Sequence, residues 1–214
     1  MTDAGSSAAA IKPARGLLTW DSEGQEGGPF HSRKLHVPTL SSGLTIGRGY
    51  DMKEKSAAQI EADLKTAGVS AAEAKTIAGA AGLKGVRARQ FIKDKGLQNF
   101  EISRQGQVKL FEITYAAEEA VVKRICNKAD CKKAFGAVDW ENTHPAIRDL
   151  FVDLKFRGDY TPTSRKVVQR LLATNDLAQL TKVMANKAHW AGVPPDRFQR
   201  RKAFMAAAKP GSGS

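Results

Sequence analysis

Two carboxylates flank a glycine-rich stretch within residues 20–53, WDSEGQEGGPFHSRKLHVPTLSSGLTIGRGYDMK, Glu23 before it and Asp51 after it. Two carboxyl groups facing a groove are the equipment of glycoside hydrolysis, one protonating the leaving oxygen, the other attacking or activating water. The intervening glycines let backbone approach a ligand closely, and a groove between a helix end and a β-hairpin suits a sugar chain. Trp20 and its apolar neighbours are placed to strip water from Glu23 and raise its pKa, as a general acid working near neutrality requires. Plainer readings stand beside these. Asp51 has the residue type of a helix cap, Thr45 that of a β-branched strand residue, and Gly47 and Gly49 suit the backbone of a hairpin. Glu23 at a helix C-terminus opposes the helix dipole, so its placement asks for a reason. The competing carboxylates are Asp21, which points away from the face of Glu23 on a helix, Glu26 in the glycine loop, and Glu54.

The elements that must position these groups are legible from spacing. Leu17, Leu18 and Trp20 mark a first helix over 15–23, ended by Gly24, Gly27, Gly28 and Pro29. Extended pieces at 30–37 and 44–50, separated by Pro38 and the turn signal at Ser41, Ser42 and Gly43, predict a small β-hairpin. Beyond it the pattern is helical. Helices are expected over 56–67, from Ser70 with Glu73 as a capping box, over 85–95, 105–127, 144–157, 162–174, 176–190 and 195–209. The fold class is α+β, mostly α, with a hairpin inserted after the first helix of a helical body. Residues 1–12 read as a loose leader and 210–214 as a flexible tail around a single domain, 13–209. That domain divides into 13–55, bearing the helix end and hairpin, and the body 56–209.

The chain of 214 residues carries 34 lysines and arginines against 22 aspartates and glutamates, a formal charge of +12. That excess attracts polyanions: nucleic acid, an anionic membrane surface or an acidic polysaccharide. No apolar run approaches the roughly 18 residues of a membrane helix, so no membrane span is expected. The start lacks the basic and apolar regions of a secretory signal. His31, His36, His144 and His189 show no ligand spacing, and neither a metal nor another cofactor is expected. Cys126 and Cys131 are equally compatible with a short-loop disulfide and with two free thiols. A nucleic-acid reading would place two helices across 163–188, yet the cations are spread along the chain and no aromatic stacking platform accompanies them. No nucleic-acid partner is expected. A non-catalytic wall-binding module is the other alternative, and the presence of both carboxylates favours an enzyme over it. A cationic substrate such as chitosan would be repelled.

Glu23-Gly24 followed by Thr45-Ile46-Gly47-Arg48-Gly49-Tyr50 resembles the Glu-Gly and Thr-Ile-Gly-x-Gly-His signatures of phage-type lysozymes. It is more similar still to the lysozyme-like toxin domains of the pesticin family, where the second motif reads Thr-Ile-Gly-Arg-Gly-Tyr-Asp-Met. The resemblance covers 20–53; the later helices agree in type and order only. Tyr50 stands where the phage enzymes have histidine, and the second carboxylate follows the threonine rather than preceding it. The resemblance implies a lysozyme-like fold and an N-acetylmuramidase that cleaves the β-1,4 bond between N-acetylmuramic acid and N-acetylglucosamine in peptidoglycan. It makes Glu23 the general acid, Asp51 the base that activates water, and Thr45 the hydroxyl that positions that water. Arg48 and Tyr50 are the substrate-binding candidates, with a solvated strand position the alternative for Arg48. An inverting mechanism sets the two carboxyls roughly 6.5–9.5 Å apart, a retaining one about 5 Å. The implied protein acts as a monomer on glycan strands, without a cofactor, as an endolysin, bacteriocin domain or injected antibacterial effector, made in the cytoplasm and acting at the wall or periplasm. An immunity or inhibitor protein joins the expected partners.

Overall fold

The structure is a computed structural model that describes residues 11–28 and 31–209. The tail 210–214, most of the leader and Phe30 of the expected first strand lie outside that range. The described chain is mostly helical, 58%, with one small two-stranded antiparallel sheet, so its class is α+β, mostly α. Among the described residues no helix is long and apolar enough to cross a membrane. The chain falls into two compact units. Of the described residues, 11–14, 24–28 and 31–113 form the first, and 15–23 with 114–209 the second. The opening helix thus belongs with the C-terminal helices rather than with the segment that follows it.

In the first unit, β1 (Thr45–Ile46) pairs with β2 (Tyr50–Asp51), with Thr45 opposite Asp51 and Ile46 opposite Tyr50. Gly47 at φ 64° and Gly49 at φ 87° form the tight connection that this register requires. The expected strand over 30–37 does not form. Its backbone is shared among several partners: Ser32 N–H donates to Gln25 O, Gly47 N–H to Ser32 O and Ile102 N–H to Arg33 O, and only His36 bridges Thr45. Pro38 then stops any extension of that bridge. Leu35 and Val37 still alternate inward, joining Leu44, Ile46, Tyr50, Met52, Ile60, Leu64 and Ile77 in the core.

Around this core lie α2 (Ala57–Thr66), α3 (Ala71–Ala78) and α4 (Gly85–Asp94). Ser56 Oγ accepts from Gln59 N–H and opens α2; Ser70 Oγ accepts from Glu73 N–H and donates to Glu73 Oε2, opening α3 as the spacing predicts. The long α5 (Arg104–Cys126) gives 104–113 to the first unit and 114–126 to the second.

The second unit contains α1 (Leu17–Ser22), α6 (Ala129–Phe135), α7 (Pro145–Arg157), α8 (Pro162–Ala173), α9 (Leu177–Ala185) and α10 (Pro195–Ala207). Proline at the first turn of α7, α8 and α10 costs no hydrogen bond there and fixes φ for the helix. The single helix expected over 176–190 is broken at Asn186, whose extended backbone ends α9 and whose Oδ1 accepts from Ala188 N–H to open a short 3-10 turn, Lys187–Trp190. α1 packs against α7 and α10. Leu18, Trp20, Ile147, Phe151, Leu154, Phe198 and Met205 are buried here, and so, within the same interior, are Asp153 and Arg201.

Candidate functional site

Glu23 is the C-cap of α1. Its N–H still bonds to Thr19 O, while its own backbone turns extended at φ −110°, ψ 92°. The side chain, 25% exposed, accepts from Arg197 Nη1 at 2.7 Å. Arg197 Nη2 continues to Asp153 Oδ1 at 2.6 Å, Asp153 Oδ2 accepts from Arg201 Nε at 2.6 Å, and Arg201 Nη1 reaches Asp159 Oδ2 at 2.7 Å. Asp159 in turn pairs with Arg157. Negative and positive groups therefore alternate along a buried chain that begins at Glu23, which is how charge is carried inside a fold without isolated ions. Burial pushes the Glu23 carboxyl above its ordinary range. Arg197 pulls the other way without cancelling the shift, and the charge on Asp153 adds to it.

Sequence reasoning missed this network because its members lie far apart in the chain. Two signals were nevertheless present. Arg201 interrupts the apolar stripe Phe198–Met205 at spacings of three and four, and Asp153 interrupts the run Leu150, Phe151, Val152 and Leu154.

The remaining sequence candidates belong to the first unit. Asp51 and Thr45 face each other as ladder partners. Asp51 Oδ2 accepts from Gly43 N–H at 3.1 Å and Oδ1 from Lys53 N–H at 2.9 Å, so this carboxylate is seated by backbone donors. The cap of the following helix is Ser56. Gly43 makes the seat possible, because a Cβ there would stand 2.3 Å from Asp51 Oδ1 and 2.7 Å from Lys53 N. Thr45 is buried and its hydroxyl donates to Gly43 O at 3.2 Å. Arg48 is also buried, with Nη1 on Gly24 O at 3.1 Å, so it is not the solvated strand residue of the plainer reading.

Tyr50 departs from its expected role. The ring is fully buried in the core and the hydroxyl donates to Asp63 Oδ2 at 2.7 Å, with the Lys55 ammonium 4.9 Å from the ring centroid. Burial, reinforced by Asp63, raises the phenol far above its usual range. Tyr50 therefore presents no surface to a sugar. The reason is its register: opposite Ile46, it faces inward with the apolar side of the ladder.

Glu26 is not a second acid. Despite a burial penalty, hydrogen bonds from Arg33 Nε at 3.0 Å and Gln107 Nε2 at 2.5 Å hold its carboxyl below the usual range. Asp21 and Glu54 are exposed. His31 accepts from Gly27 N–H through Nδ1 and donates through Nε2 to Glu101. Among the described residues no three His, Cys, Asp or Glu side chains gather as metal ligands do. Cys126 and Cys131 are free, buried thiols.

Of the sequence candidates, Glu23 combines partial exposure with a raised pKa, the state in which a carboxylic acid can donate a proton; Asp149, which burial also raises, has its Oδ1 engaged by the Tyr115 hydroxyl at 2.6 Å. No curated protein and no solved structure matches the chain. A family model, Domain of unknown function (DUF8812), matches residues 16–202. The chain belongs to the DUF8812 family.

Proposed function

We propose that this chain is a peptidoglycan hydrolase with a lysozyme-like fold, an N-acetylmuramidase whose general acid is Glu23. The observation that carries the reading is the state of that side chain, a helix-end glutamate whose carboxyl burial holds above its ordinary range while leaving it accessible. Such a group protonates the glycosidic oxygen as the bond to C1 breaks. In the same reading Asp51 is the candidate base of an inverting mechanism, a carboxylate able to take a proton from water. Its two backbone hydrogen bonds use two of the roughly four acceptor positions of a carboxylate and leave the others for water. Thr45 donates to Gly43 O, and its lone pairs are left to accept from that water. The +12 charge draws the protein to walls rich in peptide carboxylates and anionic polymers, so turnover falls as salt rises.

The test is digestion of purified sacculi with identification of the new reducing end. Reducing N-acetylmuramic acid is the expected product. Glu23→Gln lowers its release by about 10²–10⁴-fold, the range of general acid catalysis, with folding retained. Release undiminished in that variant removes the acid, and a product with no new reducing sugar removes the glycosidase.

A further inference from the structure

Two long stretches of the first unit, 27–50 and 74–93, contain no acidic residue, while they carry three and five lysines and arginines. The fold joins them. Gly85 N–H donates to Ser42 O at 2.9 Å, Arg89 Nη2 to Val37 O at 3.3 Å, and Gly43 bridges Lys84. The carbonyl of Leu40 lies so close to Gly85 that a Cβ there would stand 2.5 Å from it. This junction displays Leu40 and Val86, 68% and 69% exposed; the other exposed large hydrophobics among the described residues, Ile11 and Leu17, reach only 47% and 43%. Lys84, Arg87 and Arg89 are exposed beside them, and Lys53 Nζ rests on Ser41 O at 3.2 Å.

We propose that this face docks on anionic phospholipid bilayers, with Leu40 and Val86 entering the boundary between headgroups and acyl chains and the flanking cations lying on the headgroups. Aliphatic side chains held in water within a ring of cations gain from such an interface twice, by burial and by attraction to negative lipid. A nucleic acid offers the second gain only, and the exposed apolar groups here are aliphatic, unlike the aromatic rings on which bases stack. The docking requires neither Glu23 nor a glycan, so it stands or falls separately from wall hydrolysis.

Co-sedimentation of the full chain with vesicles tests it, comparing phosphatidylcholine alone with equal parts phosphatidylglycerol and phosphatidylcholine. Binding to the mixed vesicles only is expected. Leu40→Ser with Val86→Ser, which changes no charge, weakens that binding about tenfold, and Lys84→Glu with Arg87→Glu weakens it at least as much. All four positions are exposed, so unchanged thermal unfolding accompanies both losses. Equal binding to the two vesicle types, or binding to neither, overturns the proposal. So does a loss confined to the charge-reversed variant, which reduces the effect to general attraction of a cationic chain. Duplex DNA that binds more tightly than the vesicles and loses affinity in both variants assigns the face to nucleic acid instead.

Discussion

Asp153 in the second unit and Asp51 in the first are held by opposite means. In the second, Asp153 sits between the guanidinium groups of Arg197 and Arg201, and Glu23 shares the first of these. In the first, Asp51 is seated by the N–H groups of Gly43 and Lys53. Side-chain cations let charge pass from one group to the next along a helix face, so the state of one member is felt by the others. Backbone donors fix a single group in place and pass nothing on. Burial raises the proton affinity of Glu23 against the pull of its guanidinium partner, whereas the backbone donors around Asp51 serve to keep its position.

The sharpest way to break the contrast is Asp153→Ala. With two buried arginines deprived of their shared partner, the chain should lose about 3–5 kcal/mol, read by urea unfolding. A loss under about 1 kcal/mol would mean that the alternating charges carry little of the second unit's stability. Gly43→Ala probes the other side. Its methyl meets Asp51 and the immobile Lys53 backbone, and a cost of about 1–3 kcal/mol is expected from overpacking, with the ladder disturbed at Thr45.

Tyr50→Phe removes one hydroxyl from buried Asp63, which keeps Gln59, and should cost about 1–2 kcal/mol without changing the surface. Wall release that tracks only this stability loss sharpens the assignment of Tyr50 to the core; a separate loss of substrate affinity would contradict it.

The smallest expected effect is on pH dependence. Because the folded Glu23 binds its proton more tightly than the ordinary value of 4.5, the stability it contributes is complete below that value and is lost as pH rises through the raised one. The melting temperature of Glu23→Gln should therefore gain on that of the parent chain across this window and then level off. A gap that shrinks with rising pH would show the ion pair with Arg197 outweighing burial.

Local signals in the sequence were read correctly because local physics decides them. Ser56 and Ser70 cap the helices they precede, prolines 145, 162 and 195 start theirs, and α1 ends at Glu23 as the following glycines require. α6 escaped notice: it has seven residues, and Lys128 at its start offers no capping hydrogen bond. The ladder formed at 45–51 rather than with 30–37 because the earlier segment divides its hydrogen bonds among Gln25, Gly47 and Ile102, choices made in space rather than by alternation. Of the candidate site, the unusual placement of Glu23 was legible and its arginine was not, since 174 positions separate the pair. Tyr50 was misplaced because a motif gives residue order, while the pleat decides which face each residue takes.

That separation governs when the protein becomes complete. During synthesis α1 emerges early, yet α7 and α10, the helices it packs on, are made much later. A ribosome-bound chain halted before α10 has every residue of the first unit and lacks the guanidinium that meets Glu23. The acid that the first helix carries meets its arginine only after α10 has been translated, 174 positions later.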